Sequence, residues 1–211
     1  MYDLEEQEQI DALKAWWRQH GRLVVVAVVA AALAALGTTG WRYYRAQQNE
    51  QASQVFAEVE KAARGNNLKQ VRELSTQLAD QYGRTAYAAL GALVAAKAEF
   101  EAGDLNAAAA RLEWAAEHAR DDETRAVATL RLAGVRLDQK KYDEALKLLE
   151  QQPPDPFLSL YADLKGDVLA AQGKTADARS AYQRALEKLP AEGLYRALVQ
   201  AKLDGLGGVK P

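Results

Sequence analysis

Two patterns divide this chain: one unbroken apolar run near the N-terminus, then a series of segments whose apolar residues recur every three or four positions. The run, Leu23 to Trp41, holds nineteen residues without a charge. As a helix it would be about 28 Å long, close to the roughly 30 Å hydrocarbon layer of a bilayer. Lys14, Trp16, Trp17, Arg18 and Arg22 precede it, and Trp41, Arg42, Tyr43, Tyr44 and Arg45 close it, the aromatic and basic collar that membrane helices place at their interfaces. Its Leu and Val residues favour insertion by about 3 kcal/mol, with Gly37, Thr38, Thr39 and Gly40 working against them. A cleavable signal peptide would open on a short basic segment, whereas twenty-two residues with five acids come first here. An uncleaved signal anchor over 23–41 is therefore expected.

Elsewhere the spacing is helical. Leu4, Ile10, Leu13, Trp16 and Trp17 give the tail 1–22 a loose amphipathic pattern leading into the membrane. Ala46 to Arg64 puts Val55, Phe56, Val59 and Ala63 on one face, and no breaker separates it from Trp41, so 42–66 reads as a membrane-proximal helix stopped by Gly65-Asn66. Leu68 to Tyr82 is amphipathic through Leu68, Val71, Leu74 and Leu78. Gly83 ends it, and Thr85 stands where it would cap the next helix, Ala86 to Ala102. Period-two alternation never persists, so no strand is expected.

The later part of the chain repeats. Tyr161 to Pro190 carries Gly166, Leu169, Gly173, Ala178, Tyr182, Ala185 and Pro190 at the offsets of a tetratricopeptide repeat, a helix-turn-helix unit of about 34 residues. Gly166 and Ala178 let its two helices approach closely, Tyr182 and Ala185 fill the contact with the next helix, and Pro190 ends the second helix. Lys140 to Leu149 repeats the turn and second helix, and Gly103-Asp104-Leu105 with Ala108, Leu112 and Ala115 does so again; Ala96 and Ala133 stand where the first-helix glycine would be. A last helix from about Glu192 to Leu206 would cap the stack, with Gly205, Gly207, Gly208 and Pro211 as a tail. The fold expected is all-α: a single transmembrane helix, then a tetratricopeptide-like α-solenoid over 67–211.

Charge refines this picture at the membrane. The first twenty-two residues carry three Lys or Arg and five Asp or Glu, leaving twenty-four of each sign beyond them. A formally neutral domain gives nucleic-acid binding no electrostatic support. Lys14, Arg18 and Arg22 before the span against Arg42 and Arg45 behind it place the tail in the cytoplasm and the long domain across the membrane. The chain has no Cys and two His. His20 lies at the membrane boundary and His118 in the last turn of a helix, neither with a motif partner, and no phosphate loop or metal-ligand spacing is visible. No catalytic, cofactor or metal site is expected.

Binding surfaces remain. The helix Thr124 to Gln139 is apolar on two sides, Val127, Leu130, Gly134 and Leu137 on one and Ala128, Leu132 and Val135 on the other. One side suffices for stacking. The surplus residues Val127, Leu130 and Leu137, with Leu90, Leu93 and Phe100 from the helix before, either line a concave groove for extended apolar polypeptide or are core on both sides. The Lys and Asn set that clamps a peptide's terminal carboxylate does not occur together. Within the span, Ala27, Ala31 and Ala35 form a stripe at spacing four that would admit a neighbouring membrane helix, although Ala is abundant throughout.

The layout resembles the YfgM family of bacterial inner-membrane proteins. The residues that carry the likeness are the acidic tail, the anchor followed at once by Trp41-Arg42-Tyr43-Tyr44, the turn Gly103-Asp104-Leu105, the segment Ala126-Val127-Ala128-Thr129-Leu130-Arg131-Leu132-Ala133, and Ala162-Asp163-Leu164-Lys165-Gly166-Asp167. The resemblance implies a non-enzymatic ancillary subunit of the Sec translocon in the inner membrane, with a periplasmic domain. It further implies association with the membrane-anchored periplasmic chaperone PpiD and transfer of emerging secretory polypeptides to periplasmic chaperones. A membrane-tethered tetratricopeptide scaffold for another envelope assembly, such as cytochrome maturation or division machinery, is the alternative.

Overall fold

The computed structural model describes the backbone from Tyr2 to Gly207 and the side chains from Glu8 to Gly207. Leu4 of the amphipathic tail and Gly208 and Pro211 of the expected C-terminal tail lie outside the described side chains. Nine α-helices run through the described residues: α1 (Tyr2–Arg64), α2 (Leu68–Tyr82), α3 (Ala86–Glu101), α4 (Leu105–His118), α5 (Asp122–Asp138), α6 (Tyr142–Leu149), α7 (Leu158–Ala171), α8 (Thr175–Lys188) and α9 (Leu194–Gly205). A short 3-10 turn, Asp155–Phe157, precedes α7, and no strand occurs among the described residues. The chain divides into two compact units, Met1–Gln48 and Asn49–Pro211.

In the first unit the apolar run is helical throughout and its side chains, the half-buried Val24 apart, are exposed, Leu23 by 69% and Leu36 by 71%. A stretch this apolar, with none of the described residues of other helices packed on it, is suited to a nonaqueous surrounding.

The second unit is a stack of helix pairs, and its period is written in the turns. Asn66, Gly103, Lys140 and Gly173 all adopt positive φ, at 51°, 81°, 59° and 76°. Each closes the same left-handed turn, in which the following N–H reaches back to a carbonyl five residues earlier: Asn67 to Ala62, Asp104 to Glu99, Lys141 to Arg136 and Lys174 to Leu169, all at 2.8–2.9 Å. Seven residues before the turn residue stand Val59, Ala96, Ala133 and Gly166; five residues after it, Val71, Ala108, Ala145 and Ala178. Of these eight, all but Gly166 are core residues exposed by 2% or less, and Gly166 is buried too.

Small or β-branched residues at those two places let paired helices close on each other. At Gly166 the approach is tightest, for a Cβ there would fall within 3.0 Å of the Tyr182 ring. Tyr182 thus fills the gap inside its own pair, packed back onto α7, as well as joining the core shared with α9.

Four pairs result, not three. The last third of α1 pairs with α2, and Ala52, Val59 and Ala62 form a core with Val71, Leu78, Ala88 and Ala95. The segment 42–66, set apart by its sequence as a membrane-proximal helix, therefore contributes its second half to the repeat core. The reason it is hidden in the sequence is local: Asn66 replaces the turn glycine, and Val59 and Val71 replace the small residues.

Helix ends follow the sequence closely. Asp104 and Asp121 accept the N–H of Ala107 at 3.1 Å and of Thr124 at 2.7 Å, capping α4 and α5. Thr85 stands at the N-terminus of α3 as expected, but its hydroxyl donates backwards to the Tyr82 carbonyl at 2.8 Å and caps nothing. Leu189, forced to extended backbone by Pro190, ends α8.

Candidate binding surfaces

The last part of α1, the start of α2, the body of α3 and Arg131 of α5 line an open cleft of about 780 Å³. Phe56, Leu90, Leu93 and Val94 supply an apolar floor, and Glu60, Arg64, Lys97, Glu101 and Arg131 a charged margin. Lys97 and Glu101 pair across one turn at 3.7 Å.

Of the six groove residues named from the sequence, two line this cleft: Leu90, half-buried, and Leu93, 7% exposed. Val127 packs against the same core cluster as Leu93, while Leu130 and Leu137 pack against the next cluster with Ala126, Ala133, Ala145 and Tyr161. Phe100 is exposed by 42% and joins neither cluster. The two apolar sides of α5 are thus both engaged, one toward α3 and α4 and the other toward α6 and α7. Phe56 and Val94, which the sequence reading missed, complete the floor; the signal for Phe56 was its place on the apolar face of α1, and what was lacking was the knowledge that this face meets α3.

Charged networks cross the stack. Arg72 donates to Glu99 at 3.1 Å and to Asp104 at 2.6 Å, and Arg111 lies 3.8 Å from the same Glu99 oxygen. Glu99 is 1% exposed, and its Oε2 has no protein partner among the described residues. Arg136 bridges Glu113 and Glu144. At the far end Lys202 of α9 donates to Asp163 at 2.9 Å and Asp167 at 2.8 Å, Tyr195 donates to Asp163 at 2.8 Å, and Tyr182 to Asp167 at 2.7 Å.

Burial opposes the Lys202 charge, but the hydrogen bonds to Asp167 and Asp163 outweigh it and hold its pKa above the ordinary 10.5. Burial, reinforced by the carboxylate each phenol bonds, pushes Tyr182 and Tyr195 well above their ordinary 10.0. Buried charges that are paired and hydrogen-bonded fix how elements dock, and here they fasten the capping helix to the last pair. Two of these networks join residues of different pairs, so they set register along the stack.

His118 stacks on Trp114 with ring centroids 4.4 Å apart and bonds the Trp114 carbonyl at 2.9 Å. Among the described residues no group of three or more His, Cys, Asp or Glu could hold a metal ion. In the first unit Ala27, Ala31 and Ala35 form an exposed stripe along α1. One helix among the described residues is long and apolar enough to cross a membrane.

An apolar helix of membrane length joined to stacked helix pairs with an inner cleft is the architecture of an anchored tetratricopeptide-like binding module. The model of the tetratricopeptide repeat-like domain matches residues 14–208. An ancillary SecYEG translocon subunit of Neisseria gonorrhoeae is 37% identical over 96% of this chain and 98% of its own length. Proteins of the same name from Haemophilus influenzae and Escherichia coli are 30% and 27% identical, over 97% and 95% of this chain and 99% and 96% of theirs. The chain belongs to this family of tetratricopeptide repeat-like ancillary translocon subunits.

Proposed function

We propose that this protein is a non-enzymatic ancillary subunit of the SecYEG translocon. The helix 23–41 crosses the bacterial inner membrane once, the tail 1–22 lies in the cytoplasm, and the repeat domain stands in the periplasm. There the cleft floored by Phe56, Leu90, Leu93 and Val94 holds extended apolar segments of emerging secretory polypeptides, which pass on to periplasmic chaperones. The membrane-anchored chaperone PpiD is its partner in the bilayer, with Ala27, Ala31 and Ala35 as the packing face.

The observation that carries this reading is the near full-length likeness to proteins named as translocon subunits, which includes both the apolar helix and the repeats. The orientation rests on the three basic residues before the span against two behind it. The polypeptide preference rests on the chemistry of the cleft, apolar below and charged at its margin.

Affinity purification of the full chain from detergent-solubilised membranes is the test. Recovery of the translocon with the membrane chaperone is the expected result; recovery of cytochrome-maturation or division components in their place would overturn the reading in favour of a scaffold elsewhere in the envelope. A reporter active only in the periplasm should be active when fused after Pro211 and silent at Met1.

A further inference from the structure

The two ends of the apolar run on α1 are not alike. At the C-terminal end Arg45 is already engaged, its guanidinium 5.3 Å from the centre of the Trp41 ring, and Trp41 stacks with Tyr44. At the N-terminal end Arg18 and Arg22 are exposed and form no ion pair among the described residues, whereas Lys14, one turn further out, pairs with Asp11 at 3.3 Å. Residues four apart lie about 40° apart around a helix, so Arg18 and Arg22 project from the same side one above the other.

Beside them Trp17 is held in an uncommon place. Its indole lies along the helix over Gly21, so close that a Cβ on Gly21 would meet Nε1 and Cε2 at 3.1 Å. The ring covers Gly21, which is buried although it sits on a largely exposed stretch of α1. The indole Nε1 thereby rests at the level of the residue before Arg22, and this N–H has no protein acceptor among the described residues. Any side chain at 21 would push the indole outward from that placement.

Depth along the helix suits these groups to one ligand. From Arg22 to Arg42 the rise is about 30 Å, the hydrocarbon thickness, and from Trp17 to Trp41 about 36 Å, inside the roughly 40–45 Å that includes the headgroups. Arg18, Arg22 and the Trp17 N–H therefore stand at the level of the lipid phosphates. Two guanidinium groups on one stripe, with one N–H donor at the same depth on the neighbouring stripe about 100° around the helix, match in number and charge the oxygens of a phosphodiester.

From this arrangement we infer that Arg18, Arg22 and the indole of Trp17, seated on Gly21, form a binding site for the phosphodiester headgroup of an anionic phospholipid in the leaflet that the N-terminal end of the span enters. The site rests on α1 crossing a bilayer and is independent of any translocon association. Its occupant is a lipid, since the ring and the first turn of the apolar run, Leu23 and Val25 among them, offer acyl chains a surface that a free phosphate does not need.

The test is native mass spectrometry of the detergent-solubilised full chain with phosphatidylglycerol or phosphatidylcholine added. The wild type should retain phosphatidylglycerol in clear preference. Arg18→Gln with Arg22→Gln should lower that retention about thirtyfold, from the contribution usual for a basic residue near an anionic surface. Gly21→Val, which displaces the indole without altering charge, and Trp17→Phe, which keeps a ring and removes the N–H, should each lower it several-fold, while Arg42→Gln with Arg45→Gln should leave it unchanged. Equal retention of the two lipids, no loss in the Arg pair or in Gly21→Val, equal loss on removing Arg42 and Arg45, or displacement of the lipid by inorganic phosphate would each overturn the site. Carbonate extraction of the same variants keeps the two readings apart: a variant that stays in the membrane yet loses lipid preference confirms the site, and a wild type that is extracted refutes the span itself.

Discussion

Two helices in this chain are apolar on every side, and they meet opposite ends. The run Leu23–Trp41 in the first unit is uncharged for nineteen residues and lies exposed; Ala86–Ala96, the body of α3 in the second, is uncharged for eleven and is buried among α2, α4 and α5. Length is one difference, since eleven residues span about 17 Å and cannot cross a bilayer. Side-chain size is the other. The span offers Leu and Val to surrounding lipid, whereas α3 has Ala88, Ala89, Gly91, Ala92, Ala95 and Ala96, which draw neighbouring helices to close range. At Gly91 a Cβ would lie 2.6 Å from Leu78, so α2 rests on the α3 backbone itself. An apolar surface long enough to span a bilayer is left for the membrane; a short one, richer still in small residues, becomes the centre of a stack.

A charge placed in each should separate them most sharply. Ala95→Arg puts an unpaired cation where the side chain is wholly buried, a cost of several kcal/mol, and the repeat domain should lose its cooperative melting transition while the chain remains in membranes. Val29→Arg should do the reverse, because a mid-span charge costs about 3 kcal/mol, as much as the run gains by inserting; carbonate should then extract the protein while the domain still melts normally.

Lys202→Met comes next. It leaves Asp163, 5% exposed, with its phenol partner and no cation, and should cost about 2 to 3 kcal/mol by chemical denaturation. The same cluster predicts alkaline sensitivity. Lys202, Tyr182 and Tyr195 hold their protons more tightly when folded, so their contribution is complete below the unfolded values near 10.0 and 10.5 and is lost as pH rises toward the folded ones. Stability should be level up to about pH 10 and fall above it, and a level profile well beyond pH 11 would deny the cluster its role.

Gly166→Leu overpacks the Tyr182 contact and should lower the midpoint by an amount corresponding to about 1 to 3 kcal/mol. The smallest effect has the opposite sign. Lys140 occupies the left-handed turn position that Gly103 and Gly173 hold elsewhere, and Lys140→Gly should stabilise the domain by about 1 kcal/mol. An unchanged or lower melting temperature would mean that the four turns are not equivalent.

How much of this could be read beforehand depended on how local the signal was. The span, the last helix pair and its cap were legible because each declares itself within a few turns: an uncharged run, or Gly166, Ala178, Tyr182 and Pro190 at fixed offsets. The first pair was not, because Asn66 and Val59 meet the same geometric demands with residues that no repeat pattern selects. The ion networks were not legible either. Arg72 and Glu99 are brought together by stacking across pairs, and Lys202 and Asp163 by docking of the cap, and any of the chain's many charges could have served until the register was known. The lining of the cleft was partly legible for the same reason: Leu90 and Leu93 reach it through the pitch of α3 alone, but whether α5 offers a free side depends on α6 and α7 covering it, as they do at Leu130 and Leu137.

The central claim is that one apolar surface serves the membrane and the other a self-contained stack that begins within α1. Hydrogen exchange tests it directly on two fragments, Asn49–Pro211 and Asn67–Pro211. The account predicts that the α3 amides in the first fragment are as protected as in the full chain, and that in the second they exchange much faster, because Ala52, Val59 and Ala62 have been removed from the core around Val71, Leu78, Ala88 and Ala95. Loss of α3 protection in the longer fragment, or full protection in the shorter one, would contradict it.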